Sequence, residues 1–428
     1  MADIGPCLYE TLDHTEHDFN YSTESPRVDL QPHKCLLDVL EICVTEVEKR
    51  HNNGTLNIKD AYIAYLVETK VTNTQWKGTV NSICTLWRRY REFEMLKNYM
   101  EVTYPFVVVP PLPEKKVSYT WQKLATNEYD PDFIDRRRAG LETFLLRVAA
   151  HPILSVDKIF FGFLQQENSW KDRVLATGYL NKIESKLKII SATFRLKKPD
   201  KSYEELKNYC NELQNNISNL LKFRSKLADR IYGIHKIHGN YGRVFSEWSA
   251  LEKRMGDGLQ SAGHYMDVYA ALIDILLEEE EQFADQMKEY LLYAESLKLV
   301  CRKQELLQYD LEQADENLVL KSQQRENLLQ GKTGFVSRLL GSVDSDELRE
   351  AKLQQLDRQI QEAEVSIRLA TEEANKFAEK AAVEVKDFEK QKVKNVKESL
   401  LLYATLEAKL CKKGIAVWTS IKECFENI

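Results

Sequence analysis

The chain has 428 residues, room for about two or three domains. Apolar residues make up 43% and charged residues 29%, which excludes a disordered chain and allows packed cores. With 60 basic and 66 acidic side chains the formal net charge is -6, which argues against general nucleic-acid binding, normally carried by a basic excess.

The eight cysteines stand singly, and none has C-x-x-C spacing, so neither a zinc ribbon nor a thioredoxin-type motif is present. This sparse pattern suits a reducing, cytosolic setting. The first residues are acidic and polar, so no signal peptide is expected. No run approaches the ~18 apolar residues of a spanning helix, and any membrane contact is expected to be peripheral.

All ten prolines lie at or before Pro199. Proline costs roughly 3 kcal/mol inside a helix, so the proline-free remainder is suited to long uninterrupted helices. Residues 1–34 are polar and read as a tail. Strand-like runs follow at Leu37–Val47, Tyr62–Thr69 and Val80–Trp87, rich in Val, Ile, Tyr and Thr. Asn52-Asn53-Gly54 is a turn signal between the first two. Helical stretches are expected at Glu92–Val102, Asp132–Ala150 and Ser155–Gln166. A stiff polyproline-like segment, Val109–Pro113, lies after the first of them.

Trp170–Leu187 has the pattern of a short amphipathic linker helix, weakened by Gly178; membrane insertion and plain packing are both open for it. Beyond it, Ser202 and Glu205 have capping-box spacing, and so do Asp344 and Glu347. Gly256-Asp257-Gly258 separates the first long helix from a second at about Ser261–Leu329. In the last helix, Leu353, Leu356, Ile360, Ala363, Ile367, Ala370, Ala374, Phe377 and Ala381 alternate steps of three and four, an a/d seam for side-by-side helices. A helix of ~80 residues reaches about 120 Å, so it must pack in a long bundle and is expected to meet a second chain. Phe245, Trp248, Tyr269 and Trp418 are candidate dimer anchors or intrachain core.

The candidate site is Trp87–Phe93, W-R-R-Y-R-E-F, at a strand-to-helix junction. Three arginines in four positions repel one another unless an anion balances them, and guanidinium forks match phosphate oxygens bidentately. The first turn of the next helix adds unpaired N–H groups and the positive end of its dipole. Strand alternation would put Arg89 and Arg91 on one side, Arg88 and Tyr90 on the other. Lys115-Lys116 and Arg136-Arg137-Arg138 are further basic clusters, the latter opposing its own helix dipole. A solvated basic edge is the alternative for each cluster taken singly.

In this order, R-R-Y-x-x-F at Arg88–Phe93, P-P-L-P-E-K at Pro110–Lys115 and R-R-A-G-L-E at Arg137–Glu142 resemble the phox-homology (PX) domain over Cys35–Gln166. The resemblance implies a small antiparallel sheet with helices and a phosphatidylinositol 3-phosphate site. In it Arg89 holds the 3-phosphate and Tyr90 supports the inositol ring. Lys115 binds the 1-phosphate, and Arg137 bonds the ring hydroxyls. Val117, Tyr119 and Trp121 alternate in the following loop and suit a membrane interface, with packing under the loop as the alternative.

Behind such a domain, three long proline-free helices resemble a BAR domain. The segments His238–Ala250, Met255–His264 and Cys411–Ile415 carry the likeness to the PX-BAR sorting nexin family further. The implied organisation is a tail (1–34), an α+β PX domain (35–168), a linker (169–200) and an all-α, dimeric BAR domain of three antiparallel helices (201–428). The implied function is a peripheral protein on the cytosolic face of early and recycling endosomes. It would bind phosphatidylinositol 3-phosphate and the anionic membrane surface, and pair with itself or another PX-BAR sorting nexin in cargo recycling and autophagy-related traffic. Lys332, Arg338, Arg349 and Lys352 are candidate basic contacts where a BAR arm would end.

No catalytic residues, metal or cofactor are expected. Gly331-Lys332-Thr333 lacks the earlier glycine of a phosphate loop, since Glu326 stands there. His235 and His238 have no carboxylate or cysteine nearby in sequence to complete a metal set. The rival reading is a soluble coiled-coil scaffold whose arginines meet acidic protein partners instead of lipid.

Overall fold

Alternating apolar residues build the first layer. The computed structural model describes residues 35–51, 61–73, 76, 82–115, 130–165, 169–181, 183, 196–330 and 346–426. Strands β1 (Leu40–His51), β2 (Ala61–Val71) and β3 (Ile83–Arg89) form one antiparallel sheet in that order. In β1, Leu40, Ile42 and Val44 point inward while Glu41 and Thr45 face solvent. The register pairs Leu40 with Val71 and His51 with Ala61. The strand starts later than expected because Leu36–Asp38 form a 3-10 turn. Asn52–Gly54, the expected turn, lies outside the described residues.

A register shift between Val44 and Val47 bends β1. Its freed backbone groups are satisfied from helix α2 (Pro131–Ala150). Arg138 Nη1 donates to Val44 O at 2.6 Å, and Val44 N donates to Glu142 Oε2 at 2.8 Å. Helix α2 opens on Asp130, whose carboxylate accepts from Asp132 N and Phe133 N, with Pro131 at its first position. Helices α1 (Tyr90–Thr103) and α3 (Lys158–Gln165) complete the layer. Phe93, Leu96, Leu141, Phe144, Phe160 and Phe163 pack with Val44, Tyr65 and Val67 into one core.

The linker segment opens on a short helix, α4 (Trp170–Ala176), and helical residues resume at 179–181 and 183. Trp170 is fully buried and donates from Nε1 to Ile159 O at 2.8 Å, so this face closes the core instead of facing a membrane. Gly178, at φ +67°, breaks the helix. Residues 182 and 184–187 of the expected helix lie outside the described residues.

Three long helices follow: α5 (Lys201–Ser249), α6 (Gly256–Leu329) and α7 (Asp346–Glu426). Asp200, not Ser202, caps α5, accepting from Ser202 N at 2.9 Å. Asp344 lies outside the described residues. Helix α6 begins at Gly256 itself. A Cβ there would come within 2.8 Å of Ser249 O, so the glycine permits the tight reversal instead of merely breaking a helix. The expected seam from Leu353 to Ala381 is buried or half-buried throughout. Helix α6 packs along both α5 and α7, which also touch each other through side chains such as His238 with Trp418 and Phe245 with Phe425. Arg349 is occupied locally: its Nη2 donates to Leu328 O and Leu329 O at 3.0 and 2.8 Å, closing the C-terminus of α6. Lys332 and Arg338 lie outside the described residues.

Helix α2 docks on the long helices through three side-chain pairs. Arg136 Nη1 lies 2.8 Å from Glu281 Oε2, Arg147 pairs with Glu289 at 3.0 Å, and His151 Nε2 meets Glu384 Oε2 at 3.0 Å. His151 Nδ1 accepts from Ile153 N and Leu154 N, which assigns the ring proton to Nε2 as donor to Glu384. Among the described residues no helix is long and apolar enough to cross a membrane.

Candidate functional site

Strand β3 stops at Arg89 because Tyr90 opens α1, so the expected alternation ends there. The adjacent arginines have different fates. Arg88 is 2% exposed; its Nε and Nη2 donate to Phe163 O at 3.1 and 2.8 Å, and its guanidinium lies over the Phe163 and Trp170 rings. With Glu92 beside it, Arg88 needs no anion. It fastens β3 to α3.

Arg89 occupies the N-cap of α1, and its own N–H donates to Glu92 Oε2 at 2.8 Å. Its guanidinium stacks on the Tyr62 ring at 4.1 Å and has no carboxylate partner among the described residues. This leaves its fork of donors next to the positive end of a helix.

Tyr90 anchors the other side. Its hydroxyl donates to Pro113 O at 2.6 Å, and burial holds its pKa well above the usual phenol range. Arg137 lies over this ring at 5.4 Å and over Phe133 at 4.3 Å, while Lys115 Nζ is 5.8 Å from the Tyr90 centroid. Arg137 Nη2 donates to Lys115 O at 2.7 Å, tying the proline segment to α2. The Tyr65 hydroxyl and the Arg137 guanidinium are buried next to each other, and the guanidinium acts against the upward push that burial gives the Tyr65 phenol.

Tyr90, Lys115 and Arg137 are thus brought together by direct contacts, and Arg89 joins them as the chain neighbour of Tyr90, with its guanidinium turned onto Tyr62. The triple arginine on α2 divides its labour: Arg136 pairs with Glu281, Arg137 enters the site, and Arg138 holds the bulge in β1. Only the middle one fits the expectation of a bound anion. Lys116, Val117, Tyr119 and Trp121 lie outside the described residues. Sequence reasoning missed Tyr62 and Tyr65, whose places depend on strand pairing, and Glu94. Lys115 Nζ lies 3.0 Å from both Glu94 oxygens. The spacing of Glu94 from Tyr90, one helical turn, is the signal that was available.

The long helices carry a second surface. Phe223, Leu227, Ile234, Ile237, Tyr241 and Trp248 recur at steps of three, four and seven on α5 and stay exposed, Phe223 at 68%. Trp418 on α7 is also exposed, while Tyr269 packs beneath it and Phe245 is half-buried. The four expected aromatics therefore split between a free face and intrachain packing.

Residues 77–167 match the PX domain family. The chain is 50% identical over 413 residues to sorting nexin-4 of Homo sapiens, covering 95% of this chain and 91% of that protein. It is 24% identical to sorting nexin-4 of Saccharomyces cerevisiae, over 90% of this chain and 93% of that one. Its fold is similar to that in the cryo-EM structure of the SNX-BAR Mvp1 tetramer, with TM-score 0.56 and 16% identity, over 89% of this chain and 99% of that chain. PX domains bind phosphoinositides, SNX-BAR proteins dimerise on membranes, and these relatives are trafficking adaptors and not enzymes. The chain belongs to the sorting nexin family of membrane-associated trafficking proteins, with a PX domain ahead of a helical BAR region.

Proposed function

We propose that this sorting nexin binds phosphatidylinositol 3-phosphate through Arg89, Tyr90, Lys115 and Arg137, and dimerises through its long helices to act on endosomal membranes in cargo recycling and autophagy-related traffic. The observation that carries the reading is the Arg89 guanidinium. It lies over the Tyr62 ring at the N-cap of α1 without a carboxylate among the described residues, and the next residue is Tyr90, whose ring two more cations overlie. A phosphomonoester supplies an acceptor for the Arg89 fork, and the Arg137 guanidinium over the Tyr90 ring offers donors to the ring hydroxyls of inositol.

Residues 35–168 form the headgroup-binding unit in this reading, 169–200 the linker and 201–428 the dimerising unit, behind a tail of 1–34. Val117, Tyr119 and Trp121 follow Lys115 directly and are assigned to the membrane interface. The exposed apolar stripe of α5 is the face for a second chain, a copy of this one or a related sorting nexin. Two headgroup sites held on one rod bind with avidity, and the pairs from α2 to Glu281, Glu289 and Glu384 keep each site fixed to it.

Sedimentation with vesicles containing or lacking phosphatidylinositol 3-phosphate tests this. Arg89→Ala removes a charge-assisted contact set of roughly 1.5–3 kcal/mol, about tenfold to a few hundredfold in affinity. Equal sedimentation of variant and parent would overturn the assignment.

A further inference from the structure

Strand register brings Tyr62 and Arg89 together. Ala64 of β2 stands opposite Arg89 of β3, and Tyr62 lies two residues before Ala64, so both side chains leave the same face of the sheet. Arg50 of β1, opposite Tyr62, shares that face and lies over the Trp87 ring at 4.3 Å. The two cations are held differently. Glu48, opposite Ala64 and so in one cross-strand row with Arg89, is taken by Arg50, whose Nε lies 2.7 Å from its Oε2. Arg89 keeps no carboxylate among the described residues; its guanidinium rests flat on Tyr62, 4.1 Å from the ring centroid. A ring and a carboxylate are not equivalent partners for a guanidinium. Its five N–H groups point outward in the guanidinium plane, where a carboxylate occupies them. A stacked ring touches only the flat face and leaves the fork of donors for a second partner. Arg88, next in the chain, shows the other outcome, with its edge spent on Phe163 O.

We propose that Tyr62 is a positioning residue of the headgroup site: its ring holds the Arg89 guanidinium by the face, ordered in advance, with the donor edge left open for the phosphomonoester. This rests on the lipid reading above. The gain is preorganisation. Arginine has a long, freely rotating stem, and order imposed by the ring before the lipid arrives is not lost again on binding. The opposite arrangement makes the ring a resting place from which the lipid must pull Arg89, and then removing the ring strengthens binding. The two arrangements differ in the sign of the effect.

The test sediments the full chain with vesicles containing or lacking phosphatidylinositol 3-phosphate. Tyr62→Leu and the β-branched Tyr62→Val keep apolar bulk on the strand but have no ring face, and whichever folds with the parental melting curve serves. Tyr62→Phe keeps the ring and drops only the hydroxyl. The ring-less variant is expected to bind the 3-phosphoinositide vesicles roughly three- to tenfold more weakly than the parent, and Tyr62→Phe within roughly twofold of it. In the Arg89→Ala background the same ring-less change is expected to cost nothing further, because Tyr62 acts through that side chain. An equal loss in both backgrounds makes Tyr62 merely structural and overturns the proposal. So does a ring-less variant that binds as well as the parent or better, and so does a Tyr62→Phe as weak as the ring-less variant. If Arg89→Ala loses binding while the ring-less variant binds like the parent, the positioning role alone falls. If Arg89→Ala binds like the parent, the lipid reading falls and this proposal with it.

Discussion

A methyl group on Gly140 of α2 would stand 2.7 Å from Pro113 Cβ and 3.0 Å from its Cγ. No folded protein tolerates a Cβ contact that short, and a proline ring cannot swing aside. In an ordinary helix interior, Gly→Ala gains up to about 1 kcal/mol from backbone entropy. Here the loop must move instead. That loop supplies both carbonyls that fix the site, Pro113 O for Tyr90 and Lys115 O for Arg137. Gly140→Ala is therefore expected to weaken sedimentation with phosphatidylinositol 3-phosphate vesicles by roughly tenfold, about 1.4 kcal/mol. Circular dichroism should report an unchanged helical content. Undiminished vesicle binding would show that the proline segment does not need its seat on α2.

Glu280 is fully buried between the long helices. Arg224 Nε of α5 lies 3.5 Å away, an ion contact too poorly aligned for a hydrogen bond. Arg224 also pairs with Glu281, which in turn holds Arg136 of α2. From α7, Glu407 and Tyr403 face the same cluster. Burial, reinforced by the nearby Glu407 carboxylate, pushes Glu280 up to about 7. Its folded pKa lies above its unfolded one, so the folded state holds the extra proton. Stability from this group is complete at acid pH and is lost as pH rises from about 4.5 through about 7. The full swing is about 3 kcal/mol. Glu280→Gln, which imitates the protonated form, is expected to raise Tm relative to the parent at pH above 7, with the difference vanishing near pH 5. Thermal melts across that range check the sign; a parent that gains on Glu280→Gln with rising pH contradicts it.

Asp157 joins four donors at one buried carboxylate. Tyr99 and Tyr104 donate their hydroxyls at 2.9 and 2.7 Å, and Ile159 N and Phe160 N donate at 2.7 and 2.9 Å. The last two are the opening N–H groups of α3, so the residue both caps a helix and closes the core behind α1. Asp157→Ala leaves two phenols and two amides without their acceptor. The expected loss is roughly 3–5 kcal/mol in denaturant unfolding. Tyr99→Phe removes one donor and its need together, and is expected to cost only about 1 kcal/mol.

Much of this architecture was legible because its signals are local. The absence of proline after Pro199 marked the long helices, and the three-and-four spacing from Leu353 to Ala381 marked the buried face of α7. Runs rich in Val, Ile, Tyr and Thr marked β1 and β2 as strands, and a turn signal between them suggested their joining. What stayed hidden depends on distant partners. Nothing near Arg88 says that its guanidinium ends on Phe163 O, 75 residues away, while Arg89 remains available. The three arginines of α2 look alike in sequence, yet Glu281, Lys115 O and Val44 O sort them into three roles. The start of α5 was misplaced for a different reason: Ser202 and Glu205 have cap spacing, but Asp200, just after Pro199, reaches the free N–H first.

The apolar stripe of α5 gives the last prediction. Phe223 is 68% exposed, Ile237 54% and Leu227 45%, on a helix whose opposite face is already packed on α6. Scattered exposed apolar residues are ordinary, but a row at heptad-like steps is a seam. Covering one such side chain contributes about 1.5–3 kcal/mol, and a two-fold interface counts each residue twice. Phe223→Glu with Ile237→Glu also places carboxylates where water is excluded. The double variant is expected to lose at least about 3 kcal/mol of association, more than a hundredfold in Kd. Light scattering should then give the monomer mass where the parent gives twice that value. Because the headgroup residues are untouched, the variant should keep its preference for 3-phosphoinositide vesicles but bind them more weakly, as avidity is lost. An unchanged mass would mean that the stripe is not the association face, and an altered lipid preference would mean that the two surfaces are not independent.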